Sequence, residues 1–235
     1  MARPRSITDE RLLDAAGAVI GRRGPGFTLA EVAKEAGVAV GTVAQRFGSK
    51  HGLLVAMVTT AIASLGPGLR EAAGACPGSG VREAAAGASL GPRLQEAAAG
   101  TEDPALAAVR ALVSWYAPLG DPVSAPNHLA QLGSDLADER LRGLMGEFYT
   151  AMEAEVAALL DKADLPSGPP AAQAARILTA VADGTALHWS ASPTGDFGTR
   201  LEADLLAVLD AWRPGIATPA SKRPGIATPT SKGIS

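Results

Sequence analysis

Apolar positions recur at three- and four-residue intervals along most of the chain, and the strict alternation of a half-buried strand is scarce. Leu12, Leu13, Ala16, Val19 and Ile20 form one such stripe and predict a helix over residues 8–22, with Ser6 and Asp9 offering an S-x-x-D start. Gly24-Pro25-Gly26 breaks it. Leu29, Val32, Ala33 and Ala36 predict a second helix, opened by Thr28 and Glu31 as a T-x-x-E capping box and closed by Gly37. A short third helix over 40–47 has Val43 and Phe47 as its core anchors. Ser49 caps a fourth, carrying Leu53, Leu54, Met57, Val58 and Ile62 toward Leu65, where Gly66-Pro67-Gly68 interrupts. Helical signals return at Asp103 and Pro104 with Leu106, Val109, Leu112, Val113 and Tyr116. A short helix near 127–136 and a long one over 138–162 follow. A last pair spans 171–190 and 199–212, joined by Ser192-Pro193-Thr194-Gly195. The fold class is therefore all-α, a three-helix helix-turn-helix unit followed by a larger helical domain.

With Val43 and Phe47 turned inward, the third helix shows Val40, Gly41, Thr42, Ala44, Gln45 and Arg46 on its other face. These small and hydrogen-bonding residues suit a DNA major groove. Lys50 falls in the first turn of the fourth helix, where a cation is unfavourable on its own. A phosphate at the same helix end, drawn by the free amides, would offset that cost.

The run from Thr28 to Leu54 resembles the TetR family of bacterial transcription regulators. Thr28, Val32, Ala33, Ala36, Gly37, Val38, Gly41, Thr42, Val43, Phe47, Ser49, Lys50, Leu53 and Leu54 all fall in the register of its pattern. Two positions depart. Ala44 stands where the family usually has Tyr, and Arg46 where it has His or Tyr. Those family positions typically touch phosphate, which Arg46 can do and Ala44 cannot. The resemblance implies a dimeric regulator on double-stranded DNA. Thr42, Gln45 and Val40 would meet base edges; Gln can bond adenine bidentately and Val can touch a thymine methyl. Thr28, Arg46, Lys50 and the backbone around Gly41 would hold phosphates. A two-fold dimer reads an inverted-repeat operator.

The same resemblance implies a homodimer through the helices over 171–190 and 199–212, and Val181 to Trp189 is similar to a D-G-x-A-L segment of the family's penultimate helix. A small-molecule pocket is expected in the body, with Trp115, Tyr116, His128, Gln131, Phe148, Met152, His188 and Trp189 as candidate lining. A ligand that prefers a form with misplaced recognition helices lowers DNA affinity by that preference. No cofactor is implied. A competing reading, motivated by Ala44, is a helical ligand sensor or interaction module with a degenerate DNA-binding head.

Charge changes the picture more than composition does. The net charge of −3 over 235 residues hides a basic head and an acidic body. Residues 1–60 carry +3, residues 61–212 carry −10, and the tail from Arg213 carries +4. Such a split suits a protein that meets phosphates at one end. At 47% hydrophobic and 4% aromatic, the composition hints at a hydrophobic effector. Cys76 is the single cysteine, which rules out an internal disulfide and fits a cytoplasmic setting. His51, His128 and His188 show no ligand spacing, so no metal site is expected. No apolar run has membrane-spanning length, and the basic start lacks an apolar stretch behind it. No nucleophile elbow or phosphate loop supports catalysis, and the expectation is that the protein is not an enzyme.

The expected organisation is a DNA-binding domain over 1–50, a ligand-binding and dimerisation domain over 51–212, and a disordered tail over 213–235. Within the body, 66–101 is low in complexity, with Arg70, Arg82 and Gln95 each opening a similar Ala-rich run. It reads either as three short helical pieces or as a mobile loop. The tail repeats a ten-residue unit rich in Pro, Ser and Thr. Arg3 and Arg5 are either a DNA-touching arm or incidental charges.

Overall fold

The computed structural model describes residues 7–65 and 103–213. Ser6, the arm residues Arg3 and Arg5, Cys76, the low-complexity stretch and the repeated tail beyond Arg213 lie outside the described residues. Within them the chain forms nine α-helices: α1 (Asp9–Arg23), α2 (Leu29–Ala36), α3 (Val40–Phe47), α4 (Lys50–Ser64), α5 (Pro104–Tyr116), α6 (Ala125–Ala137), α7 (Glu139–Leu160), α8 (Ala171–Ala191) and α9 (Phe197–Trp212). No strand occurs among the described residues. The all-α expectation holds.

Local chemistry sets most helix ends. Thr28 Oγ1 accepts from the Glu31 amide at 3.3 Å, and the Glu31 carboxylate accepts from the Thr28 amide at 2.9 Å, completing the capping box. Gly37 closes α2 at φ 71°, a left-handed position that glycine takes without strain. Ser49, Asp103, Asp138 and Asp196 cap α4, α5, α7 and α9 through their side-chain oxygens. Three starts differ from expectation. α1 is capped by Thr8, whose Oγ1 accepts from the Arg11 amide at 3.4 Å. α6 begins at Ala125, ahead of its expected start near 127, with Pro126 in the first turn. α9 begins at Phe197, because the Asp196 carboxylate draws the Thr199 amide to 2.8 Å and winds the preceding turn into the helix.

Two apolar clusters hold the chain together. The first joins α1, Phe27, α2, Val43 of α3 and Leu53 and Leu54 of α4, and takes in Leu141 from α7. The second joins α5, α7, α8 and α9 around Leu112, Met152, Leu178, Leu201 and Leu205, and takes in Leu65 from the end of α4. Head and body thus each lend a leucine to the other's core. Helix α6 lies across the seam: Asn127 Nδ2 donates to the Gly21 carbonyl at 2.8 Å. Here α1 and α6 meet closely enough that a Cβ on Gly21 would lie 3.1 Å from both His128 Nε2 and Ser124 Cβ. His51 Nδ1 adds a 3.5 Å approach to Asp138.

Candidate nucleic-acid interface and ligand site

Helix α3 is amphipathic over two turns. Val43 is fully buried and Phe47 packs beside it, while Val40 keeps 47% of its surface and Gly41 and Gln45 are exposed. Thr42 is partly buried at the edge of this outer face. No side chain caps the helix: Ala39 occupies the N-cap position and has no group to offer. The Thr42 amide turns back to the Ala39 carbonyl at 2.9 Å, and no side chain meets the amides of Val40 and Gly41 ahead of it. A Cβ on Gly41 would meet nothing within 4 Å, so the chain's own packing does not call for glycine there. The outer face offers an apolar contact at Val40, bare backbone at Gly41 and a carboxamide at Gln45.

The three side chains expected on phosphates are already engaged within the chain. Thr28 is taken up in the capping box, its hydroxyl also donating to Glu31 at 3.0 Å. The Arg46 guanidinium reaches back to α1, pairing through Nη1 with Asp9 and donating from Nη2 to the Ile7 carbonyl at 2.8 Å. Lys50 Nζ donates to the Pro25 carbonyl at 2.5 Å and sits 4.3 Å from the centroid of the Phe27 ring. These bonds fix α3 and α4 against α1 and the Gly24–Gly26 turn. Arg22 pairs with Glu35 at 2.5 Å and Arg23 with Glu31 at 2.7 Å, tying α1 to α2. The Arg23 and Thr28 bonds hold the Glu31 carboxyl below the usual range. Sequence reasoning missed Gly52. A Cβ on it would lie 2.0 Å from the Phe47 carbonyl oxygen, so the α3–α4 turn closes only over a glycine.

In the body, the candidate pocket residues divide among three places. Trp115, Tyr116, Phe148 and Met152 share the α5–α7–α8 core, with the Trp115 and Phe148 rings 4.8 Å apart. Trp189 lies deeper, 5.2 Å from the Phe197 ring, with its Nε1 buried and unpartnered; His188 beside it in sequence is exposed. His128 and Gln131 sit on α6 instead. Burial against α1 pushes His128 below the ordinary imidazole value, with Asp121 acting the other way. Gln131 Nε2 donates to Asp135 at 2.7 Å, while its Oε1 is buried without a partner.

Two residues not singled out from the sequence complete the core group. Tyr116 donates to Asp183 Oδ1 at 2.5 Å, and Tyr149 approaches the same oxygen at 3.4 Å. Burial and the neighbouring carboxylate push the Tyr149 phenol up to about 12 and the Tyr116 phenol further, so both stay protonated and act as donors. Burial also raises the Asp183 carboxyl, partly offset by these two hydrogen bonds. Asp183 is the one acid in α8, and that was the signal available.

Residues 12–57 match the family of bacterial regulatory proteins, tetR family. No curated protein sequence matches the chain. Among solved structures, a transcriptional regulator from Rhodococcus sp. Rha1 is 24% identical with a TM-score of 0.59, covering 86% of this chain and 96% of that one. A putative TetR-family transcriptional regulator from Rhodococcus sp. is 19% identical with a TM-score of 0.57, covering 87% and 97%. The transcriptional regulator FadR from Bacillus subtilis, solved in complex with stearoyl-CoA, is 16% identical with a TM-score of 0.59, covering 86% and 97%. At these identities the likeness is one of fold.

Proposed function

We propose that this chain, whose residues 12–57 match the tetR family of bacterial regulatory proteins, is a homodimeric, ligand-released repressor of an inverted-repeat operator. The observation that carries the reading is the outer face of α3, where Val40, Gly41 and Gln45 project from a helix whose other contacts are all internal. Val40, Thr42 and Gln45 read base edges, and the uncapped amides of α3 take phosphate. Thr28, Arg46 and Lys50 meet phosphate by exchanging an internal partner for it. A body ligand, expected to be small and hydrophobic, acts through the seam of α1, α4 and α6. A ligand shifts the equilibrium only by its differential affinity for the two forms.

The test is selection of bound sequences from a random duplex pool at several salt concentrations. An inverted repeat whose affinity falls linearly on a logarithmic salt scale supports the proposal. One observation favours the second reading, a helical sensor with a degenerate head: Ala44 has no polar group and Arg46 is engaged with Asp9. Failure of a folded, ligand-free protein to enrich any sequence would bring that reading to first place.

A further inference from the structure

The strongest unassigned feature is the carboxylate of Asp183. It faces α5 and α7 from α8, and the hydrogen bonds from Tyr116 and Tyr149 both reach one oxygen, Oδ1. Among the described residues no basic group pairs with it, and Oδ2 receives no donor. A half-buried carboxylate without a counter-charge carries part of the cost of leaving water, and the phenol donors offset only some of it. Burial holds this carboxyl above the ordinary carboxylate range, and the two phenol hydrogen bonds act the other way.

The surroundings favour a particular partner. Trp115, Phe148 and Tyr149 form a continuous aromatic run, with centroids 4.8 and 5.7 Å apart in succession. Aromatic faces attract cations electrostatically and hydrocarbon through area. Trp115, Tyr149 and Asp183 each keep partial exposure, whereas Tyr116 and Phe148 are buried, so the carboxylate and one side of the run are reachable together. One turn before Asp183 on α8, Thr179 is 2% exposed and its hydroxyl has no partner. A buried hydroxyl left unbonded is expensive for a fold unless something else occupies it.

We propose that Asp183, Tyr149, Trp115 and Thr179 form a subsite for a lipophilic primary ammonium. The charged head would sit between Asp183 Oδ2 and Thr179 Oγ1, with its chain along the exposed side of Trp115 and Tyr149. This rests on the ligand-responsive reading above and gives its ligand a charge. Carboxylate and alcohol amphiphiles lack the complementary charge and bind less well. The acidic body favours the approach of a cation.

The experiment is calorimetric titration of the full chain, free of DNA, with dodecylammonium, dodecanol and dodecanoate below their micellar concentrations. The expected order is ammonium, then alcohol, then carboxylate, with at least tenfold between the first two. Asp183→Asn keeps an acceptor for both tyrosines and should lose that tenfold while leaving dodecanol unchanged. Thr179→Val is isosteric and breaks no internal bond; it should weaken the ammonium several-fold without lowering the melting temperature, which removal of an unbonded hydroxyl can only raise. Equal binding of the three probes, a preference for dodecanoate, binding of none, or an ammonium preference that survives Asp183→Asn would overturn the subsite. The two proposals fail separately. An ammonium that binds with the stated preference yet leaves operator affinity unchanged removes only its role as effector. Operator release by a neutral or anionic ligand, with no ammonium preference, removes only the subsite.

Discussion

Arg46 has one guanidinium and two claims upon it, the Asp9 carboxylate that holds it in the free chain and the phosphate for which its position suits it. Both side chains of the pair are about one third exposed. A pair this open contributes roughly 0–1 kcal/mol, since water screens it and two side chains lose freedom. Asp9→Ala should therefore lower stability by less than about 1 kcal/mol in urea. If phosphate takes Arg46, this change also tightens DNA several-fold, because it removes one of the two internal partners of the guanidinium and an opposing charge. Weaker binding would instead make Arg46 a positioning residue that aligns α3 with α1. Gly52 and Gly41 form a sharper contrast. A Cβ at 52 collides with a backbone oxygen at 2.0 Å, which cannot swing aside. Gly52→Ala should cost about 1–3 kcal/mol or more, as overpacking does, and abolish DNA binding through the displaced α3. Gly41→Ala meets open space and should stabilise the helix by about 0.5–1 kcal/mol, while weakening DNA wherever backbone meets phosphate. Urea midpoints with filter binding on both variants separate packing from contact.

At the scale of elements, α6 is where head and body are joined, and His128 makes that seam sensitive to acid. Packing against α1 favours the neutral ring, so the folded value lies below the ordinary 6.5. Between the two values the unfolded chain binds more protons than the folded one. Stability therefore falls as pH drops below about 6.5 and levels once the folded ring also protonates. Asp135 and Asp183, whose folded values are raised, act in the opposite sense at lower pH. The difference between the wild type and His128→Gln isolates the histidine. Urea midpoints from pH 7.5 to 5 should fall less steeply in the variant; parallel curves would show that the seam does not titrate. This element also marks what the sequence could disclose. The capping box of Thr28 and Glu31, the stop at Gly37 and the Asp103-Pro104 start all act within about four residues, and so were legible from order alone. The Asn127 bond to Gly21 spans 106 positions and the Tyr116 bond to Asp183 spans 67. Nothing local announces such pairs, so His128 was grouped with Tyr116 on chemical character while packing places it on another helix.

For the whole molecule, the proposed dimer makes the most demanding prediction. Reading an inverted repeat requires two heads in fixed relation, and a two-fold interface presents the same patch to itself. Leu187 on α8 keeps 57% of its surface in the single chain, and a Cβ on Gly184, nearly one turn before it, would meet nothing within 4 Å. An exposed leucine beside a backbone bare of side chains is what a close helix–helix approach from a second copy would cover. In the protomer this residue holds nothing together, so Leu187→Asp should leave helicity intact and shift stability by about 0.5 kcal/mol or less. Within a two-fold interface the substitution places an uncompensated carboxylate twice near the axis, each facing the other. Sedimentation equilibrium should then report the 23.7 kDa chain alone in place of a particle of twice that mass. Affinity for an inverted repeat should drop by about 10²–10⁴-fold, the share that linkage of two heads supplies, with affinity for an isolated half-site unchanged. A particle of unaltered mass that still binds the full repeat would move the interface off α8. A monomer that binds the full repeat as well as before would instead remove dimerisation from the mechanism, because each head would then be reading its half-site alone.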